Sequence, residues 1–168
     1  MAPENWIARS FQMDEATWAR HANPWSVWTR VATLPVLLLA MWSHVWIGWW
    51  SLSVLGAVGL WTWINPRLFA PPASTKSWAS RATFGERVWL NRNAIPIPGH
   101  HARAAALLST ASAIGFLVSI YGAIVVDATA LISGGVLAWT AKMWFVDRMV
   151  WLYEDMKDRS PVYRSWLR

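Results

Sequence analysis

Four stretches of this 168-residue chain are long, apolar and almost free of charge, at residues 24–42, 46–64, 102–126 and 128–147. Each is about 18–25 residues, the length of helix that crosses roughly 30 Å of hydrocarbon. A water-soluble helix of that length shows a polar face, and these do not. Strands would need strict alternation over about 10 residues per pass. The pattern therefore predicts an all-α fold, a four-helix transmembrane bundle of two hairpins with short interfacial helices. Residues 1–22 form an N-terminal interfacial segment, residues 65–101 a central loop, and residues 148–160 a helix beyond the last pass. Composition agrees. Charged residues are 14% of the chain, against about 25% in an ordinary soluble domain. Residues 1–20 hold no continuous apolar run, so no cleaved leader is expected.

The basic residues set the orientation. All 15 lysines and arginines lie before the first stretch or at its start, between the second and third, or at and after the end of the fourth. The two remaining turns carry none. Positive charge stays on the cytoplasmic side, so both termini and the central loop are expected there, in the cell membrane. The same distribution argues for anionic lipid headgroups as partners, and against nucleic acid.

Local signals agree with these spans. Asn23 precedes Pro24 and Asp127 precedes the fourth stretch, each suited to cap a helix. Asn65-Pro66 is expected to end the second helix. Pro35 should kink the first and free a carbonyl near Val31. Tryptophan, with 16 residues, falls at both ends of the first two spans, as two aromatic belts would require. Small residues such as Ser109, Ser112, Gly115, Gly134 and Gly135 predict a tightly packed second hairpin, or else a dimer face. Thr83 and Glu86 have capping-box spacing, predicting a short helix over residues 84–92 lying on the membrane surface.

Candidates for chemistry sit at the basic end. The acid–base candidates are Asp147, Glu154 and His100. Arg30, Arg67, Arg87, Arg92 and Arg148 are candidates for binding anions. A metal would need ligands converging from His21, His100, Asp147, Glu154 and Asp155, because no histidine pair has the i, i+4 spacing of a helical site. Adjacent His100 and His101 should point apart on a helix. Lys142, the most embedded charge, should snorkel or form an ion pair. Cysteine is absent, so no disulfide or thiolate site exists. There is no phosphate-binding glycine loop, nucleophile elbow or zincin helix.

Four segments carry a resemblance. They are His21 to Arg30, Asn65 to Phe69, Gly85 to Arg92, and Trp144 to Met156. Together they make the chain similar, from about residue 13 to 166, to a family of small tryptophan-rich prokaryotic membrane proteins known as a domain of unknown function. The resemblance implies no activity and no cofactor. The sequence itself favours a non-enzymatic subunit or scaffold of a membrane assembly, with a homo-oligomer or membrane complex as partner. Two alternatives remain. One is a binder of an apolar ligand or pigment through tryptophan-lined surfaces. The other is a membrane enzyme, with or without a metal, acting on a lipid or phosphorylated substrate at the cytoplasmic surface.

Overall fold

The computed structural model describes residues 13–168, which form helices and connecting turns, with no strand among them. Helix α1, Glu15–His21, is capped by Asp14, whose carboxylate accepts from the Thr17 amide at 2.7 Å. The Thr17 side chain and then its amide, both bonded to the carboxylate, hold Asp14 below its ordinary value. Asn23 caps α2, Pro24–Val31, accepting from the Trp25 amide at 2.9 Å. Proline in this first turn loses a donor that has no helical partner anyway. After a break at Ala32 the chain continues as α3, Thr33–Trp42.

Pro35 accounts for that break. It has no N–H for the Val31 carbonyl four residues back. The Val31 carbonyl accepts instead from the indole Nε1 of Trp139, at 3.3 Å. A backbone group freed inside one hairpin is thus satisfied by a side chain of the other.

Helix α4, His44–Ile47, and a 3-10 turn at Gly48–Trp50 lead into α5, Ser51–Leu68. Gly48 adopts φ +55°, a conformation that side chains disfavour and glycine tolerates. Helices α2 and α3 both pack against α5. At the open end Asn23 Nδ2 donates to the Ala70 carbonyl at 2.9 Å, and Arg20 to that of Arg67 at 3.2 Å. The apolar run Pro24–Leu68, 45 residues in length, therefore folds back on itself. Pro66 does not end α5, as the sequence suggested; the helix continues to Leu68. Asn65 is fully buried and bonded through its side chain to Ser26 and Thr29, which holds this turn of α5 against α2.

The central segment departs furthest from expectation. Helix α6, Trp78–Leu90, starts six residues before Phe84 and is capped by Ser77, which accepts from the Ser80 amide at 3.1 Å. Thr83 and Glu86 are not a capping box. Thr83 lies mid-helix and its hydroxyl bonds to the Ala79 carbonyl at 3.3 Å. One face of α6 is covered by the protein itself: Ala79, Ala82, Phe84, Gly85 and Val88 are buried, and the helix packs along α8.

Helices α7, Gly99–Val125, and α8, Ala128–Met156, form the second hairpin and the most extensive helix pair among the described residues. Asp127 caps α8, accepting from the Thr129 and Ala130 amides. Small residues let the backbones approach closely. A Cβ on Gly115 would lie 2.5 Å from the Ala138 nitrogen, and one on Gly122 would lie 2.3 Å from that of Leu131. Ser112 and Ser119 donate across the gap to the carbonyls of Ala138 and Leu131, each at 3.0 Å. The small-residue pattern thus serves packing between α7 and α8. A 3-10 turn, Lys157–Arg159, and helix α9, Pro161–Ser165, follow. The tail then returns to the central segment. Thr75 and Arg168 exchange two bonds of 2.9 Å.

Burial is concentrated at one end. Phe84, Val88, Met149, Leu152, Tyr153 and Tyr163 form a water-excluding core where α6, α8 and α9 meet. The long apolar segments are the reverse. Pro24–Leu68, Gly99–Val125 and Ala128–Arg159 are long and apolar enough to cross a membrane, yet their most apolar windows are only 6%, 28% and 39% buried. Several tryptophans, Trp25, Trp46, Trp49 and Trp50 among them, stand at least 70% exposed.

Candidate functional site

The polar centre of the molecule lies where α1, α2 and α5 meet α6 and α8. His21, the last residue of α1, is 4% exposed. Its Nε2 lies 2.9 Å from the Arg30 guanidinium and its Nδ1 lies 3.0 Å from the Ser26 hydroxyl. Arginine can only donate, so Nε2 must accept and Nδ1 must carry the proton. The rest of the chain follows in one direction. Ser26 Oγ donates to Asn65 Oδ1 at 2.8 Å, Asn65 Nδ2 to Thr29 Oγ1 at 2.8 Å, and Thr29 Oγ1 to the Trp25 carbonyl at 2.6 Å. Five side chains from three helices are satisfied only when His21 is neutral. Burial pushes its imidazole down to about 4, and Arg30 beside it acts in the same direction.

Glu86 and Lys142 close the cluster, with Lys142 Nζ 3.5 Å from Glu86 Oε1. Desolvation raises the Glu86 carboxyl, but the cations Lys142 and Arg30 outweigh it and hold the group below its ordinary value. Lys142 is thus an ion-pair partner, and Glu86 has an electrostatic role in place of a capping one. Two clefts open onto these groups. One, of about 260 Å³, has an apolar wall of Val31, Leu34, Leu37, Trp139 and Met143, and reaches His21, Arg30, Glu86 and Lys142. The other, of about 280 Å³, reaches the same four residues past Trp18, Trp89 and Phe145. With His21 neutral, the two cations and one carboxylate leave one net positive charge.

The acid–base candidates do not meet one another. Asp147 accepts from two indoles, Trp78 Nε1 at 2.9 Å and Trp151 Nε1 at 3.3 Å. Glu154 is paired with Arg81 at 3.2 Å and Lys157 at 2.6 Å. The anion-binding candidates mostly have partners too. Arg87 pairs with Glu15 and lies 4.0 Å over the Trp166 ring. Burial lowers the Arg87 guanidinium somewhat, and Glu15 opposes that. Arg67 and Arg92 stack on Trp63 and Trp89, at 4.3 and 4.0 Å. Arg148 Nε is buried without a hydrogen-bond partner.

Of the five metal candidates, His100 and Asp155 come together, joined by His101, which its adjacency to His100 predicts to point elsewhere. Their ligating atoms lie within 4.8 Å of one another. His100 and His101 stack with ring centroids 4.1 Å apart. In the first turn of α7 both Nε2 atoms turn toward Asp155 on α8, so adjacency does not separate them. His21, Asp147 and Glu154 belong to the other groupings just described.

Fold and site thus define an all-helical protein with three segments apolar enough to cross a membrane and a polar cluster at one end. The chain matches a family of unknown function (DUF6653) over residues 2–165, and it belongs to that family. No curated protein and no solved structure matches it.

Proposed function

We propose that the protein is a four-pass integral membrane protein of the cell membrane, with its basic end cytoplasmic, working without catalysis as a subunit or scaffold of a membrane assembly. The observation that carries this reading is the pairing at the basic end. Carboxylates and arginines that a surface enzyme would turn toward substrate are engaged with each other or with indoles, as Asp147, Glu154, Arg81 and Arg87 show. The exposed apolar helix faces are the surface left for interaction, with lipid and with other membrane helices. Purified in mild detergent, the protein should run as a stable homo-oligomer or carry a stoichiometric membrane partner. A lone monomer, bare of partners under conditions that preserve its helicity, would contradict the reading.

The clefts favour a second reading. A ligand with an apolar tail and an anionic head fits an apolar wall that ends in Arg30 and Lys142. Mass spectrometry of the detergent-solubilised protein should then show one retained anionic amphiphile, lost in Arg30→Ala. Retention that is unchanged in Arg30→Ala would count against it.

A further inference from the structure

Like Asp14, Asp127 and Asp147, Asp155 makes no ion pair with a lysine or arginine among the described residues, and it differs from those three in facing two histidines. The protein has 15 lysines and arginines against 9 aspartates and glutamates. Among the described residues Glu15, Glu86, Glu154 and Asp158 each pair with a lysine or arginine. Asp155 pairs with none of them. Its Oδ2 faces two imidazoles instead, His101 Nε2 at 2.8 Å and His100 Nε2 at 3.9 Å.

We propose that His100, His101 and Asp155 bind a divalent transition-metal cation of the zinc type. Three arguments converge. The first is distance. Nitrogen and oxygen ligands about 2.1 Å from a zinc-like ion lie about 3.0–3.4 Å from one another in octahedral or tetrahedral geometry. The two nitrogen–oxygen separations bracket that range, and all three ligating atoms lie within 4.8 Å of one another, so side-chain shifts of about 1 Å bring them to an ion's shell.

The second is ligand chemistry. Two imidazoles and one carboxylate suit zinc, copper or nickel, whereas magnesium and calcium favour all-oxygen shells. The third is how the ligands are held. His101 is 1% exposed, and its Nδ1 has no hydrogen-bond partner, so Nε2 is the ring's polar anchor. Burial fixes that ring, while His100 and Asp155, at 57% and 52% exposed, keep the fourth position open to water. The start of α7 disfavours a cation and the last turn of α8 favours one, so the two helix ends offset each other and the Asp155 charge decides. The site would tie the first turn of α7 to the last turn of α8, the open end of the second hairpin. It shares no residue with the His21 cluster and depends on neither reading given above.

The test uses the full chain in mild detergent, without a histidine tag and stripped with chelator. Zinc is titrated against a chromophoric competitor, and cobalt is added separately for its visible absorption. One zinc per chain is expected, with cobalt bands that zinc abolishes. Hundredfold excess magnesium should not displace it. His100→Ala and Asp155→Asn change exposed side chains and should leave helicity intact. Each should weaken zinc at least tenfold, while His44→Ala, at the other end of the molecule, should bind as the parent does. Absence of saturable zinc binding would overturn the proposal. So would zinc affinity unchanged in both His100→Ala and Asp155→Asn, or lowered equally in His44→Ala.

Discussion

Gly85→Ala should prevent the basic end of the protein from packing. Gly85 lies within helix α6, where alanine is intrinsically preferred by about 1 kcal/mol. Packing reverses the sign. A Cβ at this position would lie 1.8 Å from the Met149 carbonyl oxygen and 2.4 Å from its carbon. Both are backbone atoms of α8, so no side chain can rotate aside, and α6 and α8 must separate. That separation opens the core around Phe84, Val88, Met149 and Tyr153. The expected cost is about 3 kcal/mol or more, at the upper end for overpacking. Gly56→Ala and Gly59→Ala are the controls, because a Cβ at either meets nothing within 4 Å. Melting in detergent should show the Gly85 variant strongly destabilised or aggregated, with the two controls unchanged or slightly raised. Equal melting for all three would mean that α6 does not sit against α8 as described.

Acidification should destabilise the protein well before its carboxylates protonate. The His21 imidazole is held down to about 4 in the folded protein, against 6.5 when unfolded. Between those values the unfolded chain binds the extra proton, so stability falls as pH falls from about 6.5 toward 4. The full loss is about 3 kcal/mol. Glu86 acts in a separate window. Its folded value is below 4.5, so its contribution is lost only as the pH falls below that. Melting temperature should therefore decline between pH 6.5 and 4.5, and His21→Gln should flatten that decline. Glutamine keeps an acceptor for Arg30 and a donor for Ser26, but cannot titrate. A parent protein with a level melting temperature across this window would refute the neutral His21 network.

Features governed by local chemistry were legible in the sequence. Asn23 and Asp127 cap as their positions suggest, and Pro35 frees the Val31 carbonyl. Gly115, Gly122 and Gly134 with Ser112 and Ser119 do bring the backbones of α7 and α8 together, whereas Gly135 faces the Leu38 side chain of α3. Features governed by distant partners were not. Nothing near Thr83 and Glu86 in sequence shows that Lys142 and His21 will face them, so a capping-box spacing was misleading. Nothing in Trp139 shows that its indole will reach Val31. One signal was available for the buried network: Asn65 is an amide at the end of an apolar stretch, with Ser26 and Thr29 three residues apart on the helix that pairs with it. Polar groups so placed need partners, and here they find each other. For His100 and His101, the rule for adjacent helical positions failed because both rings turn toward the same carboxylate on α8.

The central claim is that the run from Pro24 to Leu68 enters and leaves the membrane on the same side. The chain has no cysteine, so single cysteines can be introduced without background. Ala16→Cys and Lys76→Cys lie at exposed positions on either side of this run, Trp49→Cys lies in its turn, and Asp127→Cys in the turn of the second hairpin. With a membrane-impermeant maleimide on intact cells, positions 49 and 127 should label directly. Positions 16 and 76 should label only after the cells are opened. A hairpin requires positions 16 and 76 to behave alike. Labelling of one and protection of the other would mean that the segment crosses once, and would contradict the four-pass account.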